Sequence, residues 1–176
     1  IRWLVRTVAV RHPALLYVAH VPQVELVANA SFAISPAETV WMDPQQRLIL
    51  ELGYTALHNA NHERALLLAR DVAVTVGIQA NDFAIIATQT PATALPVYAV
   101  SGFTFSVASG RLSYVLGMQG ACYSTDTACS TALVSAHTAA TMVRDAECES
   151  ALTAAVNVML LPGGHLLLAL AGMTSV

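Results

Sequence analysis

The sequence contains no lysine, and only 11% of its 176 residues are charged. All 8 basic residues are arginines, the 11 acidic residues outnumber them, and the net charge is -3. A nucleic-acid-binding protein needs a basic surface to neutralise phosphates, which this chain cannot supply over a broad area. We therefore expect no nucleic-acid partner.

Charge is also scarce for a free-standing soluble domain, which usually covers its outside with Lys, Glu and Asp. Hydrophobic residues make up 56% of the chain, which excludes intrinsic disorder. The chain begins at Ile1 rather than Met and ends at Val176 within an apolar stretch. We expect a single partial domain whose apolar surface is covered by a partner.

Residues 151–173 carry no Asp, Glu, Lys or Arg, and approach the roughly 20 residues of a membrane span. A cluster at residues 162–165, Pro-Gly-Gly-His, interrupts them, so we expect two short buried elements and no transmembrane segment. Residues 1–20 contain three arginines and no acid, a pattern similar to a transit peptide. We expect a cytoplasmic protein, with a plastid location as the alternative.

The three cysteines, Cys122, Cys129 and Cys148, form no Cys-x-x-Cys pair and have no histidine at a zinc-ligand spacing. We therefore expect no metal site. Free thiols are typical of a reducing compartment, where each is either a small core residue or a nucleophile.

Helical and strand patterns alternate along the chain. Asp43 is placed to cap a helix that starts at Pro44, continues to about Asn59 and has Leu48, Leu52 and Leu57 on one side. Strands are predicted at residues 72–78, 123–127 and 151–161, helices at 106–117 and about 129–144, and a loop at 88–96. This order predicts an α/β fold with a sheet covered on both faces.

The segment Asp126-Thr127-Ala128-Cys129-Ser130-Thr131 places a cysteine between a predicted strand and a long helix. A helix N-terminus favours the thiolate, which is the nucleophilic form of cysteine. Small neighbours would admit an acyl substrate, and the Cys129 N–H would stabilise an oxyanion. The alternative is a buried cysteine at a position where only a small side chain fits.

This segment resembles the active-site motif of β-ketoacyl synthases, specifically the ketosynthase domains of modular polyketide synthases. Other matching segments follow the family's order: ISPAE at 34–38, MDPQQRL at 42–48 and SGRLSYVLGMQG at 109–120. The resemblance is clear from about residue 24 to 176 and poor over 1–23. Its details look most like ketosynthases of dinoflagellate algae.

The resemblance implies a thiolase-like fold with α-β-α-β-α layers, of which this chain is the N-terminal half, working as a homodimer. It implies that Cys129 accepts an acyl chain from an acyl carrier protein for decarboxylative Claisen condensation with a malonyl-type extender. It implies no cofactor beyond the carrier-bound phosphopantetheine thioester, which is the substrate.

Two histidine motifs that complete the family's site, His-Gly-Thr-Gly-Thr and Asn-Ile-Gly-His, do not occur in this sequence. We expect the missing C-terminal half to supply them, so the isolated chain should not catalyse condensation. His137 follows Cys129 by eight residues, about 12 Å along a helix axis, and is interpreted as a structural residue.

Several positions depart from the family pattern: Ala33 replaces a typical glycine, and Thr131 replaces a second serine. They leave open a truncated, non-catalytic module that serves interaction or structure. Cys122 and Cys148 are expected to pack in the core. Arg47 is placed for a salt bridge or a carbonyl contact.

Overall fold

A computed structural model describes residues 21–91 and 95–174. The arginine-containing segment at 1–20 lies outside the described residues, as does part of the loop predicted at 88–96. The described elements are α1 (Pro36–Val40), α2 (Pro44–Asn59), α3 (Arg64–Leu67), β1 (Val72–Ile78), α4 (Asp82–Thr88), α5 (Ala99–Phe103), α6 (Phe105–Leu116), β2 (Cys122–Thr125), a 3-10 turn (Ala128–Ser130), α7 (Thr131–Arg144), β3 (Ser150–Val156) and α8 (Pro162–Leu170).

The strands form a parallel sheet in the order β2-β1-β3. Strand β1 is central and pairs with β3 from Val72↔Ser150 to Ile78↔Val156. Parallel neighbours need crossover connections, and helices supply them here. The predicted α/β class is therefore correct.

Alternate residues of β1 face different layers. One set packs with residues of α2 and α6 in the main hydrophobic cluster: Val72, Val74, Val76 and Ile78. On the other face, Ala73 packs with Met142 of α7, and the Thr75 hydroxyl donates to the Ser135 carbonyl at 3.1 Å. Helices thus cover both faces of the sheet, as predicted.

Helix α2 begins and ends where the sequence predicts, but its buried side differs from the prediction. Leu52 is 64% exposed, whereas Ile49 and Leu50 are buried. Gly53 lies on the buried side, where an added Cβ would lie 2.7 Å from Leu112 Cδ2. Of the predicted row, Leu57 is buried and Leu48 is half-buried, so the prediction is wrong at Leu52. The glycine that makes the close contact carries no apolar signal.

The uncharged stretch at 151–173 divides into β3 and α8, so the strand predicted to Leu161 ends at Val156. The second element is not buried as predicted, because Ala169 alone is buried on α8, and Leu167 and Leu170 are 69% and 67% exposed. Among the described helices, none combines the length and apolar character that a membrane crossing requires. Helix α6 ends at Gly117, whose φ of 69° is the left-handed conformation of a helix stop, as predicted.

Candidate active site

Cys129 lies in the 3-10 turn between β2 and α7, with an exposed side chain. The long helix begins at Thr131 rather than at about Cys129, which corrects the predicted boundary. The Thr131 hydroxyl accepts from the Thr127 N–H at 2.8 Å and donates to the Ala128 carbonyl at 2.6 Å. These bonds close a tight turn that precedes the α-helix.

Two more side chains hold the turn. The Ala128 N–H donates to Asp126 Oδ1 at 3.0 Å, and the Ser130 hydroxyl donates to the Thr127 carbonyl at 2.8 Å. Ala128 has a φ of 55°, a left-handed conformation that costs an L-residue about 1–2 kcal/mol. The hydrogen bonds therefore keep a strained residue directly before the exposed thiol.

Cys129 opens onto a cleft of about 230 Å³ at the carboxyl ends of β1 and β3. The lining comes from β1 and the residue after its end (Gly77, Gln79), from β3 and the residue after its end (Ala155, Val156, Asn157), and from the turn with the start of α7 (Ala128, Thr131, Ala132). Among these described residues, Cys129 alone carries an ionisable side chain. The cleft is therefore small and carries no charged side chain.

Thr131 keeps the hydroxyl of the serine it replaces, and its methyl group lies against β1. A Cβ added to Gly77 would lie 2.5 Å from Thr131 Cγ2 and 3.2 Å from the Thr131 carbonyl carbon. Gly77 therefore allows α7 to approach the strand closely beneath the cleft.

The other cysteines divide between core and surface. Cys148 is 5% exposed and packs with Ala73 and Met142, as predicted. Cys122 is exposed, so its predicted core position is wrong. It begins β2, which forms an edge of the sheet in the part of the chain that the structure describes. His137 is exposed on α7 and does not line the described cleft.

Apart from the contact expected of Arg47, the buried residues at the start of α2 were predicted only to begin a helix, and the structure adds a network of polar contacts. Gln45 donates to the Ala80 carbonyl at 2.6 Å and accepts from the Val158 N–H at 3.0 Å. Arg47 Nε donates to the Met42 carbonyl at 2.9 Å, which confirms the predicted carbonyl contact. In the sequence, the one signal for this network was the pair of adjacent glutamines, Gln45 and Gln46, at the start of the helix.

Burial shifts the pKa values of two charged groups in this network, Asp43 and Arg47. The pKa of Asp43 rises from 3.8 to about 6, chiefly because burial removes water from the carboxylate, although hydrogen bonds from Gln45 and the charge of Arg47 act against it. Burial likewise lowers the pKa of Arg47.

A family model described as "Beta-ketoacyl synthase, N-terminal domain" matches residues 6–176. The chain belongs to this family. The phenolphthiocerol synthesis polyketide synthase of Mycobacterium bovis is 44% identical over 131 residues, which are 74% of this chain and 6% of that protein. The mycoketide-CoA synthase of Mycobacterium tuberculosis is 40% identical over 133 residues, 76% of this chain and 3% of that protein.

A solved structure of the ketosynthase from module 6 of the bacillaene synthase of Bacillus subtilis 168 has a TM-score of 0.79 and 29% identity. The match covers 89% of this chain and 26% of that one. The resemblance to polyketide ketosynthases and the thiolase-like fold are thus confirmed, and the chain corresponds to the N-terminal portion of the domain. It spans 6% or less of the two curated relatives.

Proposed function

We propose that this chain carries the nucleophile of a polyketide-type ketosynthase, and that Cys129 accepts an acyl group from an acyl carrier protein. The observation that supports this most directly is the exposed Cys129 thiol at a small neutral cleft, in a turn held by three flanking side chains. A positioned, accessible thiol is what thioester exchange requires.

In the acylation step, the Cys129 thiolate attacks the carbonyl carbon of the carrier-bound thioester. The backbone N–H of Cys129 stabilises the oxyanion. The phosphopantetheine thiolate leaves and takes up a proton, and the acyl group remains on Cys129 as a new thioester. No metal or redox cofactor takes part in this exchange.

In the condensation step, a malonyl-type extender loses carbon dioxide, and its carbanion attacks the Cys129 thioester. The Cys129 thiolate is released, and the chain is two carbons longer. This step needs groups that stabilise the enolate and the oxyanion, and the described cleft-lining residues include no histidine. We assign them to the C-terminal half of a complete ketosynthase, so the 176-residue chain alone accepts acyl groups without condensing them.

The surface of α7 supports a second half as a partner. Leu133 is 75% exposed and Val143 is 42% exposed on a helix whose other side packs on the sheet. An apolar helix side of this kind is typical of an interface. A homodimer and docking of the acyl carrier protein are part of the same proposal.

The test is to incubate the full-length protein with an acyl thioester and locate the acyl group by mass spectrometry. Trypsin cleaves only after arginine here, so Cys122 and Cys129 share the peptide 112–144, and fragment ions must separate them. We expect acylation at Cys129, its loss in Cys129→Ser and its retention in the matched control Cys122→Ser. Acylation of Cys122 in preference would refute the assignment.

A second measurement separates acylation from condensation. The 176-residue chain is given the same thioester together with malonyl carrier protein, and ketoacyl product is measured. We expect none, because each missing oxyanion donor alone costs about 10²–10³ in rate. Product at the rate of a full-length synthase would show that residues of this chain suffice.

A further inference from the structure

The main-chain ladder between β1 and β3 ends at Ile78↔Val156. Beyond that rung, side chains connect the two segments. Asn157 Nδ2 donates to Gln79 Oε1 at 3.4 Å in the next register position. One residue further, the Gln45 carboxamide lies between the segments, donating to the Ala80 carbonyl and accepting from the Val158 N–H.

Gln45 is the buried part of this connection. Its side chain is 1% exposed, and its own N–H donates to Asp43 Oδ1 at 2.8 Å. Further out, Asp82 Oδ2 accepts from the N–H groups of Leu160 and Leu161, each at 2.8 Å. The strand pairing therefore continues through side chains after the backbone bonds stop.

These strand ends form one wall of the Cys129 cleft, through Gln79, Ala155, Val156 and Asn157. We infer that Gln45 is a positioning residue of this cleft: its carboxamide acts as an additional rung between β1 and β3 and fixes the wall against which the acyl chain lies. The inference rests on the proposed function and adds a determinant of acyl-chain selection on α2, outside the cleft lining.

The chemistry of the position explains why a carboxamide is needed. The side chain must donate to one carbonyl and accept from one N–H at the same time, which an amide does and an ionised carboxylate does not. A protonated carboxylic acid meets both demands. In Gln45→Glu, the new carboxyl group should therefore connect the ends of β1 and β3 only when it is protonated. It lies beside the side chains of Asp43, Arg47 and Asp82.

The experiment compares transfer of acetyl and octanoyl groups from thioesters to Cys129 in the full-length protein. Gln45→Met removes the bonds to Ala80 and Val158, and a third from Gln45 Nε2 to Asp43 Oδ2 at 3.4 Å, at similar side-chain length. Its matched control is Gln46→Met, because Gln46 is 2% exposed in the same helical turn but bonds the carbonyls of Ser101 and Thr104. Ser101 lies in α5 and Thr104 directly follows α5, so neither belongs to the chain segments that leave β1 and β3. Gln46 also accepts from Arg111 Nε at 2.9 Å, away from these segments.

We expect Gln45→Met to change the octanoyl-to-acetyl ratio of kcat/KM about tenfold, mainly through KM, because misplacement of a wall alters substrate positioning. Gln46→Met should leave the ratio unchanged within about twofold. A folded Gln45→Met variant with the wild-type ratio, or an equal change in Gln46→Met, would overturn the inference.

Gln45→Glu keeps the test decisive if Gln45→Met does not fold. Its ratio should return toward the wild-type value as the pH falls from about 8 to about 5.5, with folding followed by circular dichroism. The octanoyl-to-acetyl ratio of Gln46→Glu should not change with pH in this way. A folded Gln45→Glu whose ratio ignores pH refutes the inference, whereas an unacylated wild-type Cys129 refutes the proposed function instead.

Discussion

The two faces of the central strand β1 are built from different kinds of side chain. Toward α2 and α6 the strand presents branched aliphatic residues, and all are 2% exposed or less: Val72, Val74, Val76 and Ile78. Toward α7 it presents small or hydroxyl-bearing residues: Ala73, Thr75 and Gly77. The first face stabilises the fold through buried apolar area, and the second allows α7 and its preceding Cys129 turn to lie close to the sheet.

The sheet therefore separates the apolar core from the layer that positions the candidate nucleophile Cys129. Substitutions of the apolar residues packed between β1 and the helices α2 and α6 should change the free energy of unfolding with little effect at Cys129. Substitutions near the α7 face should affect the geometry of the cleft at a smaller cost in stability.

Leu112→Ala should have the largest effect on stability. Leu112 is 0% exposed and fills the space above Gly53. Its truncation should lower the free energy of unfolding by about 2–5 kcal/mol, as for other leucines cut back in a core. Urea denaturation measures the loss, and iodoacetamide labelling of Cys129 without urea should be unchanged.

The matched control is Leu133→Ala on α7, where the leucine is 75% exposed. Its effect on unfolding of the 176-residue chain should stay within about 0.5 kcal/mol. Equal losses in both variants would contradict the burial of Leu112 against Gly53.

Asp43→Asn should remove a pH dependence that comes from the buried start of α2. The folded-state pKa of Asp43 is raised to about 6, so the folded protein binds more protons than the unfolded chain between about pH 4 and 6. This contribution to stability is fully present below about pH 4 and is lost as the pH rises through 6, in total about 3 kcal/mol.

The measurement is the free energy of unfolding from pH 4 to 7 in the wild type and in Asp43→Asn. The difference between the two curves should fall across that range, because asparagine keeps a capping oxygen but does not titrate. A constant difference would show that Asp43 is hydrated rather than buried.

Local signals in the sequence predicted the three strands and the long helices α2, α6 and α7, but not the short helices α1, α3, α4 and α5. Asp43-Pro44 and Gly117 fixed the start of α2 and the end of α6 because capping is a local interaction. The buried side of α2 depends on Leu112, which is distant in sequence. Cys129 became the candidate nucleophile through its motif and its strand–helix junction, whereas Gln45 makes hydrogen bonds to segments 35 and 113 residues away.

Val76 and Thr75 are neighbours in β1 that face different layers. Exchanging their side-chain types therefore compares the two faces of the strand directly. Val76→Thr puts a hydroxyl into the apolar cluster and should cost about 1–3 kcal/mol, because the cluster is formed by hydrophobic side chains. Thr75→Val removes hydrogen bonds to the Ser135 carbonyl and the Thr153 hydroxyl, and should cost about 1 kcal/mol. Thermal unfolding of both variants gives the order, and a costlier Thr75→Val would reverse the roles of the two faces.

The smallest effect is expected from Ala128→Gly, with Ala33→Gly as its control. Ala128 and Ala33 have φ values of 55° and 54°, so both are left-handed alanines. Glycine relieves a strain of about 1–2 kcal/mol, but its larger unfolded-state entropy costs about 0.5–1 kcal/mol, so each variant should gain about 0–1.5 kcal/mol. Ala33 lies before α1, whereas Ala128 directly precedes Cys129 in the turn.

Ala33→Gly should leave acyl transfer to Cys129 unchanged. Ala128→Gly should slow this transfer about twofold, since a freer turn holds the thiol less firmly. If Ala128→Gly and Ala33→Gly gain the same stability and transfer acyl groups at the same rate, the strained Ala128 does not position the thiol.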